Sequence, residues 1–297
     1  MKHELCCIGH ITIDKVTTPQ KTVFMPGGTS FYVSHAVNNF KDIDYTLVTA
    51  VGSSELNVVD EMKMQGLNIT VLPSENSTFF ENIYGENPDE RKQRVWAKGD
   101  PFNIEQLREV EANIFHLGAL LADDFSLEVV KYLASKGNIS VDVQGYLRKV
   151  HNTYVSPVDW TNKLEMIPYI RFLKANELEM EALTGSKDSQ FAARQLHDQG
   201  AKEILLTFGS KGSLIYDGNR FYRIPAYLPR KIVDSTGCGD TYMAGYLYKR
   251  AKGAPIEEAA RFAAALSSLK IENYGPVKAK PKDVMHVIAN NRNVYSG

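Results

Sequence analysis

Along the chain, short apolar runs alternate with longer stretches in which apolar positions recur at helical spacing. The runs Leu5–Gly9, Tyr45–Val51, Ile114–Leu117, Ile139–Val143, Ile170–Leu173 and Ile204–Phe208 are mostly continuous rather than alternating. That is the pattern of strands covered on both faces. Between them, the spacing predicts helices over Thr29–Phe40, Glu55–Gln65, Ile104–Glu111, Phe125–Ser135, Glu177–Thr184, Gln190–Gln199, Thr241–Lys252, Ile256–Lys270 and Lys282–Asn290. Strands alternating with helices predict an α/β fold with a mainly parallel sheet. Two segments break the rhythm. Ile11–Met25 is polar and β-rich, punctuated by Pro19 and Pro26, and Ser77–Asp100 reads as two short strands around the turn signal "GENPDE". Neither suits a buried parallel strand. They form either a small sheet outside the main body, in the manner of a lid, or ordinary surface hairpins.

Composition narrows the class. The 297 residues suit one large domain or one domain plus a small appendage, because a single core stops growing at about 250–300 residues. A net charge of −1 gives no electrostatic reason to expect nucleic acid or an anionic membrane as partner. No apolar run approaches the ~20 residues needed to span a bilayer, and the start "MKHELCCIGH" lacks the features of a signal peptide. Cys6, Cys7 and Cys238 offer neither a disulfide framework nor a CxxC pair. A reduced, cytoplasmic protein is the expectation.

In open α/β sheets, ligands bind beyond the carboxyl ends of the strands. The P-loop pattern is absent, and no GxGxxG follows a strand and opens a helix. The stretch "KIVDSTGCGDTYMAGYLYKR" offers something else. Met243, Tyr246, Leu247, Arg250 and Ala251 follow helical spacing, which starts a helix near Asp240. The amides of Gly237, Cys238 and Gly239 then point outward at a helix N-terminus, a natural anion site. Glycine lets the backbone approach a phosphate closely. A carboxylate at Asp240 would reach a substrate hydroxyl beside that anion. These are the parts of a phosphoryl-transfer site. Two other readings stay open on these residues alone: Asp240 as a helix cap worth about 1 kcal/mol, and Cys238 as a nucleophile activated by the helix N-terminus, although no histidine lies nearby in sequence.

"DSTGCGDTYMAGY" resembles the C-terminal signature of the ribokinase-like (PfkB) carbohydrate kinases. Further motifs are similar and occur in family order: "GHITID", "PGGTSFYVSHAV", "KANELEMEALTG" and "LLTFGSKGSLIY". The resemblance spans nearly the whole chain. It implies a three-layer sandwich, a mainly parallel sheet between helices, over residues 1–297, with a discontinuous β lid at about 11–25 and 77–100. It implies Asp240 as catalytic base, and the amides of Gly237, Cys238 and Gly239 as the hole for the transferring phosphoryl group. Cys238 stands where the family usually has alanine, but only its amide is used. Asn176 and Glu179 would organise the phosphates and Mg²⁺, Glu179 through water. Thr207, Gly209 and Gly212 would line ATP. Asp234 and Thr236 match positions that bind a monovalent cation such as K⁺. Asp14, Gly27, Gly28 and Thr29 would meet the sugar.

Thr29 and Tyr32 depart from the pattern of ribokinases proper, which argues against ribose. In "ISVDVQGYLRKV", Asp142, Gln144 and Arg148 end a strand and should face the cleft. That form, with "IFHLGALLADDFS", "RFLKANELEM" and "ENYGPVK", is similar to the myo-inositol kinase branch. Arg148 serves either a structural ion pair, a nucleotide contact, or an acidic group on the substrate. The expectation is an ATP-dependent kinase acting on a hydroxyl of a sugar or cyclic polyol, first myo-inositol. The alternatives are a fructose- or ribose-type sugar, a sugar acid, a nucleoside, or a non-catalytic ligand-binding member of the fold. A monomer and a lid-mediated homodimer both fit. Trp96, Phe79 and Phe80 either stack on a sugar or pack the lid, with packing preferred. His116, Cys6 and Cys7 read as core residues.

Overall fold

A computed structural model of the protein describes residues 2–84 and 91–290. The expected turn "GENPDE" lies outside the described residues. The strands are β1 (His3–Gly9), β2 (Thr12–Thr17), β3 (Thr22–Gly27), β4 (Tyr45–Val51), β5 (Ile69–Pro73), β6 (Thr78–Tyr84), β7 (Arg91–Ala97), β8 (Ala112–Gly118), β9 (Asn138–Asp142), β10 (Arg148–His151), β11 (Tyr154–Pro157), β12 (Ile170–Asn176), β13 (Glu203–Thr207), β14 (Ser213–Tyr216) and β15 (Phe221–Ile224). The helices are α1 (Thr29–Asn38), α2 (Leu56–Met64), α3 (Leu127–Ala134), α4 (Lys163–Met166), α5 (Glu177–Thr184), α6 (Ser189–Asp198), α7 (Cys238–Ala251), α8 (Ile256–Lys270) and α9 (Pro281–Ala289).

The main sheet has the order β15-β14-β13-β12-β9-β8-β1-β4-β5. It is parallel from β13 to β5, with an antiparallel β14–β15 hairpin at one edge. Period-two alternation sends the side chains of β1 to opposite layers. Leu5 and Cys7 enter the core under α1, α2, α7, α8 and α9, while Cys6 and Ile8 enter the core under α3, α4, α5 and α6. Burial on both faces explains why the strands read as near-continuous apolar runs. Helices on both faces of a mainly parallel sheet make the three-layer sandwich that the motifs implied.

The two irregular segments pair into a second sheet, ordered β10-β11-β7-β6-β2-β3. Its β10–β11 hairpin was not read from sequence; the signal was Asn152 followed by Thr153, which take φ 47° and 70° in a two-residue turn. One expected helix is absent. Over Ile104–Glu111 the chain makes successive i→i+3 turns, Leu107 to Ile104 at 3.1 Å and Val110 to Leu107 at 3.2 Å. Leu107 is fully buried and Val110 packs partly buried against the same core, but Ile104 is 38% exposed, so only one full anchor and one partial one hold the segment. That is too little to offset helix nucleation. Among the described residues no helix is long and apolar enough to cross a membrane.

Candidate active site

Parallel register gathers the functional side chains at the carboxyl ends of the strands. Lys174 on β12 lies beside Asp142 on β9, and Asn176 beside Thr207 on β13. The second sheet adds Thr12 and Asp14 from β2, Phe80 from β6, Gln93 from β7 and Arg148 from β10. With the starts of α1 and α7, these residues enclose a cavity of about 420 Å³ that also holds Gly28, Thr29, Gln144, Gly237, Gly239 and Asp240. Most of the expected residues therefore converge, but Glu179, Gly212, Asp234 and Cys238 do not line this cavity and Gly27 stands behind Asp14. A Cβ on Gly27 would come 2.4 Å from Asp14 Oδ2. Thr12 Oγ1 donates to Asp14 Oδ1 at 2.7 Å and orients it.

Helix α7 begins at a left-handed turn. Gly237 has φ 75°, and a Cβ there would lie 2.3 Å from the Tyr32 ring, so both backbone and space demand glycine. The Cys238 amide donates to the Ser235 carbonyl at 3.1 Å. The expected three-amide cradle is therefore corrected to two. Among the described residues, the amides of Gly237 and Gly239 have no hydrogen-bond partner.

Asp240 follows, with part of its surface open to the cavity. Burial among protein atoms, then the charge of Asp142, push its pKa up to about 6, against the pull of Lys174, a hydrogen bond from Thr29, and Arg148. This is not the signature of a surface helix cap. It is a carboxylate that ionises near neutrality.

Lys174 is a residue that sequence reading passed over. It is buried, and its ammonium donates to Asp142 Oδ2 at 2.6 Å. Burial alone would depress its pKa, but Asp142, Glu179 and Asp240 together hold it above the ordinary lysine value. Its Nζ lies 3.1 Å from where a Cβ on Gly239 would sit, hence against the start of α7. The available signal was a lysine between the apolar residues Phe172–Leu173 and Ala175 of a strand-like segment.

A second, apolar cavity of about 300 Å³ lies on the far side of α7's first turn, lined by residues including Gly212, Ala226, Tyr227, Ile232, Tyr242 and Ala264. The two cavities share Thr207, Gly209, Ser235 and Gly239. Cys238 lines the apolar side. Burial first, then Asp234 and Asp240, raise its thiol to about 11 despite Lys270, so it is not an activated nucleophile. Cys238→Ala should therefore retain turnover in a steady-state assay; a loss as large as that from removing a nucleophile would reverse this assignment.

Asn176 and Glu179 form a capping box at the start of α5: Asn176 Oδ1 accepts from the Glu179 amide at 2.9 Å, and Glu179 Oε2 from the Asn176 amide at 2.8 Å. Glu179 is buried, and burial, then Asp142, raise its pKa. The carboxylate of Asp234 accepts from Lys270 Nζ at 3.0 Å and from the Thr236 amide at 2.9 Å. Trp96 lies half exposed and donates to Glu81 Oε2 at 2.9 Å, and neither it nor Phe79 lines the cavity. Phe80 packs against Val95 and Leu121, as preferred, and also lines the cavity. His116 is a core residue 3.0 Å from Ser140 Oγ, with its pKa lowered to about 4 by burial.

The chain is similar to known kinases in sequence and in fold. The family model described as pfkB family carbohydrate kinase matches residues 2–283. A cytidine kinase of Thermococcus kodakarensis is 30% identical over 269 residues, covering 87% of this chain and 92% of that one. A solved pyrophosphate-dependent kinase of the ribokinase family, complexed with a pyrophosphate analog and myo-inositol, is 27% identical, with TM-score 0.85 over 95% of this chain and 99% of that one. Arabidopsis thaliana ribokinase, complexed with ribose and ATP, shares the fold at TM-score 0.78 and 20% identity, over 97% and 99% of the two chains.

Proposed function

The chain belongs to the pfkB family and is a sugar or nucleoside kinase, and from that premise we propose that it transfers the γ-phosphoryl group of ATP to a hydroxyl of a neutral cyclic polyol or sugar, with myo-inositol the first candidate. The observation that carries this reading is the junction of the two cavities at the first turn of α7. The apolar cavity suits a nucleotide base, the polar cavity suits an acceptor, and Gly237 and Gly239 offer amides to the phosphoryl group between them. Asp240 accepts the acceptor's proton as the oxygen attacks in line. Thr207 and Gly209 flank the phosphates, and the second sheet serves as a lid bearing Asp14, Phe80, Gln93 and Arg148.

The charges favour a neutral acceptor. Asp14, Asp142 and Asp240 line the cavity against Lys174 and Arg148, with Glu179 behind them. A second phosphate on the substrate would meet this acidic set as well as the donor's own charge. Hydroxyls, by contrast, can both donate to carboxylates and accept from Gln93 and Gln144. The solved neighbour that holds myo-inositol supports the first choice. A nucleoside is the second reading, favoured by the rings of Phe80 and Tyr32 at the cavity wall and by the cytidine kinase relative.

Mg²⁺ fits this site only as an ion carried by the donor's phosphates. Among the described residues no group of three or more His, Cys, Asp or Glu could hold a metal. Glu179 would hold the ion through water, where it would neutralise phosphate charge. The pyrophosphate-dependent neighbour makes the donor the point to test. In an acceptor screen over inositols, sugars, sugar acids and nucleosides, ATP should support turnover and pyrophosphate should not. Ala264→Leu, which intrudes on the apolar cavity, should raise KM for ATP about tenfold or more. Turnover with pyrophosphate alone would overturn the donor, and no turnover with any acceptor would overturn the whole reading.

A further inference from the structure

Lys270 is the last residue of α8, 0% exposed, and its ammonium is spent entirely on oxygen. Nζ lies 3.0 Å from Asp234 Oδ2, 3.0 Å from the Asp234 carbonyl and 3.4 Å from the Asn273 carbonyl. Three donors meet one carboxylate and two carbonyl oxygens. That all-oxygen set is the kind that binds a hard monovalent ion, and Asp234 is one of the residues from which such a site was expected. The residues present do not fit an added ion. The ammonium already occupies the oxygens, and a second cation at hydrogen-bond range would meet a like charge in a buried setting.

We propose that Lys270 is a built-in replacement for the monovalent cation of this site, positioning the first turn of α7 so that the enzyme works without K⁺. The connections are short. The second oxygen of Asp234 accepts the Thr236 amide at 2.9 Å, next to Gly237. The amides of Val233 and Asp234 both donate to the carbonyl of Ile271, the residue after Lys270, at 2.9 and 3.2 Å. Nζ also stands 5.8 Å from the centre of the Tyr32 ring, the ring that Gly237 packs against. The end of α8 thus fastens the loop that presents the Gly237 and Gly239 amides. Lys270 reaches the reacting atoms only through that loop, so it is a positioning residue.

The effect on turnover rests on the phosphotransfer reading above, but the cation site can be tested without it. Melting temperature and turnover of the wild-type protein are measured in KCl and in tetramethylammonium chloride at equal ionic strength. Both should be the same in the two salts. A melting temperature raised by K⁺ specifically, or turnover activated tenfold or more by K⁺, overturns the proposal. Lys270→Ala should lose about 10²-fold in kcat in tetramethylammonium chloride, as expected of a misplaced site. K⁺ or NH₄⁺ should then restore at least about a tenth of that loss and raise the variant's melting temperature, while tetramethylammonium should do neither. A folded variant whose kcat and melting temperature ignore the identity of the cation overturns the proposal. If the variant does not fold, the wild-type comparison decides. If no acceptor is turned over at all, the kinase reading fails while the melting-temperature arms still decide the role of Lys270.

Discussion

Asp240→Asn is expected to lower kcat by about 10²–10⁴-fold while the protein still folds and binds ATP. Asparagine keeps the shape of the side chain and its hydrogen bond with Thr29, but it cannot take a proton from the acceptor hydroxyl. The stability effect has the opposite sign. Burial, then Asp142, lift the carboxyl of Asp240 from the ordinary aspartate value to about 6. The folded chain therefore binds this proton more tightly than the unfolded chain. The group contributes stability below the unfolded value and loses it as pH rises through 6. At neutral pH the buried carboxylate costs up to about 3 kcal/mol, less whatever its contact with the cavity's solvent returns. The asparagine variant should therefore melt above the wild type at pH 7–8, with the gap closing as pH falls toward 5. In the wild type, kcat/KM should decline on the acid side of about 6, as the base becomes protonated. A variant with near-normal kcat would show that Asp240 is not the base, and one that melts lower at pH 8 would show that its charge is not strained.

The main strands were legible because burial on both faces leaves a continuous apolar run, as in Tyr45–Val51, all of it buried. The start of α7 was legible to within a turn, since glycine and a following carboxylate mark a helix end locally. Ile104–Glu111 misled because its spacing is helical but its burial is not, and burial belongs to tertiary packing. The two lysines escaped for a shared reason. Lys174 and Lys270 each close an apolar stretch, and their partners Asp142 and Asp234 lie 32 and 36 residues away. Strand register and helix packing create those pairs, and no local spacing records them. Reading the motif "KANELEM" put weight on Asn176 and Glu179, yet two residues earlier on the same strand face stands Lys174.

Lys174→Met should be the other severe substitution, and it separates electrostatics from packing. The ammonium is a buried cation on which Asp142, Glu179 and Asp240 all act. Methionine fills most of its volume but leaves Asp142 without its partner at 2.6 Å. Breaking a buried pair in this way costs about 3–5 kcal/mol in stability. Without the ammonium's pull, the carboxyl of Asp240 should ionise above its present value of about 6, so that less of the base is available at neutral pH. The adjoining phosphoryl site also loses a positive neighbour, which predicts a fall of about 10²–10³-fold in kcat/KM. A purely structural lysine would lower the melting temperature and leave the acid limb of the pH profile where it was. The role argued here shifts that limb toward alkaline pH. Adding Asp142→Asn removes the orphaned charge, so the double variant should be more stable than Lys174→Met alone and its acid limb should move back toward the wild type's. An unmoved limb in Lys174→Met, or strictly additive stability losses in the double variant, would remove Lys174 from the electrostatics of the site.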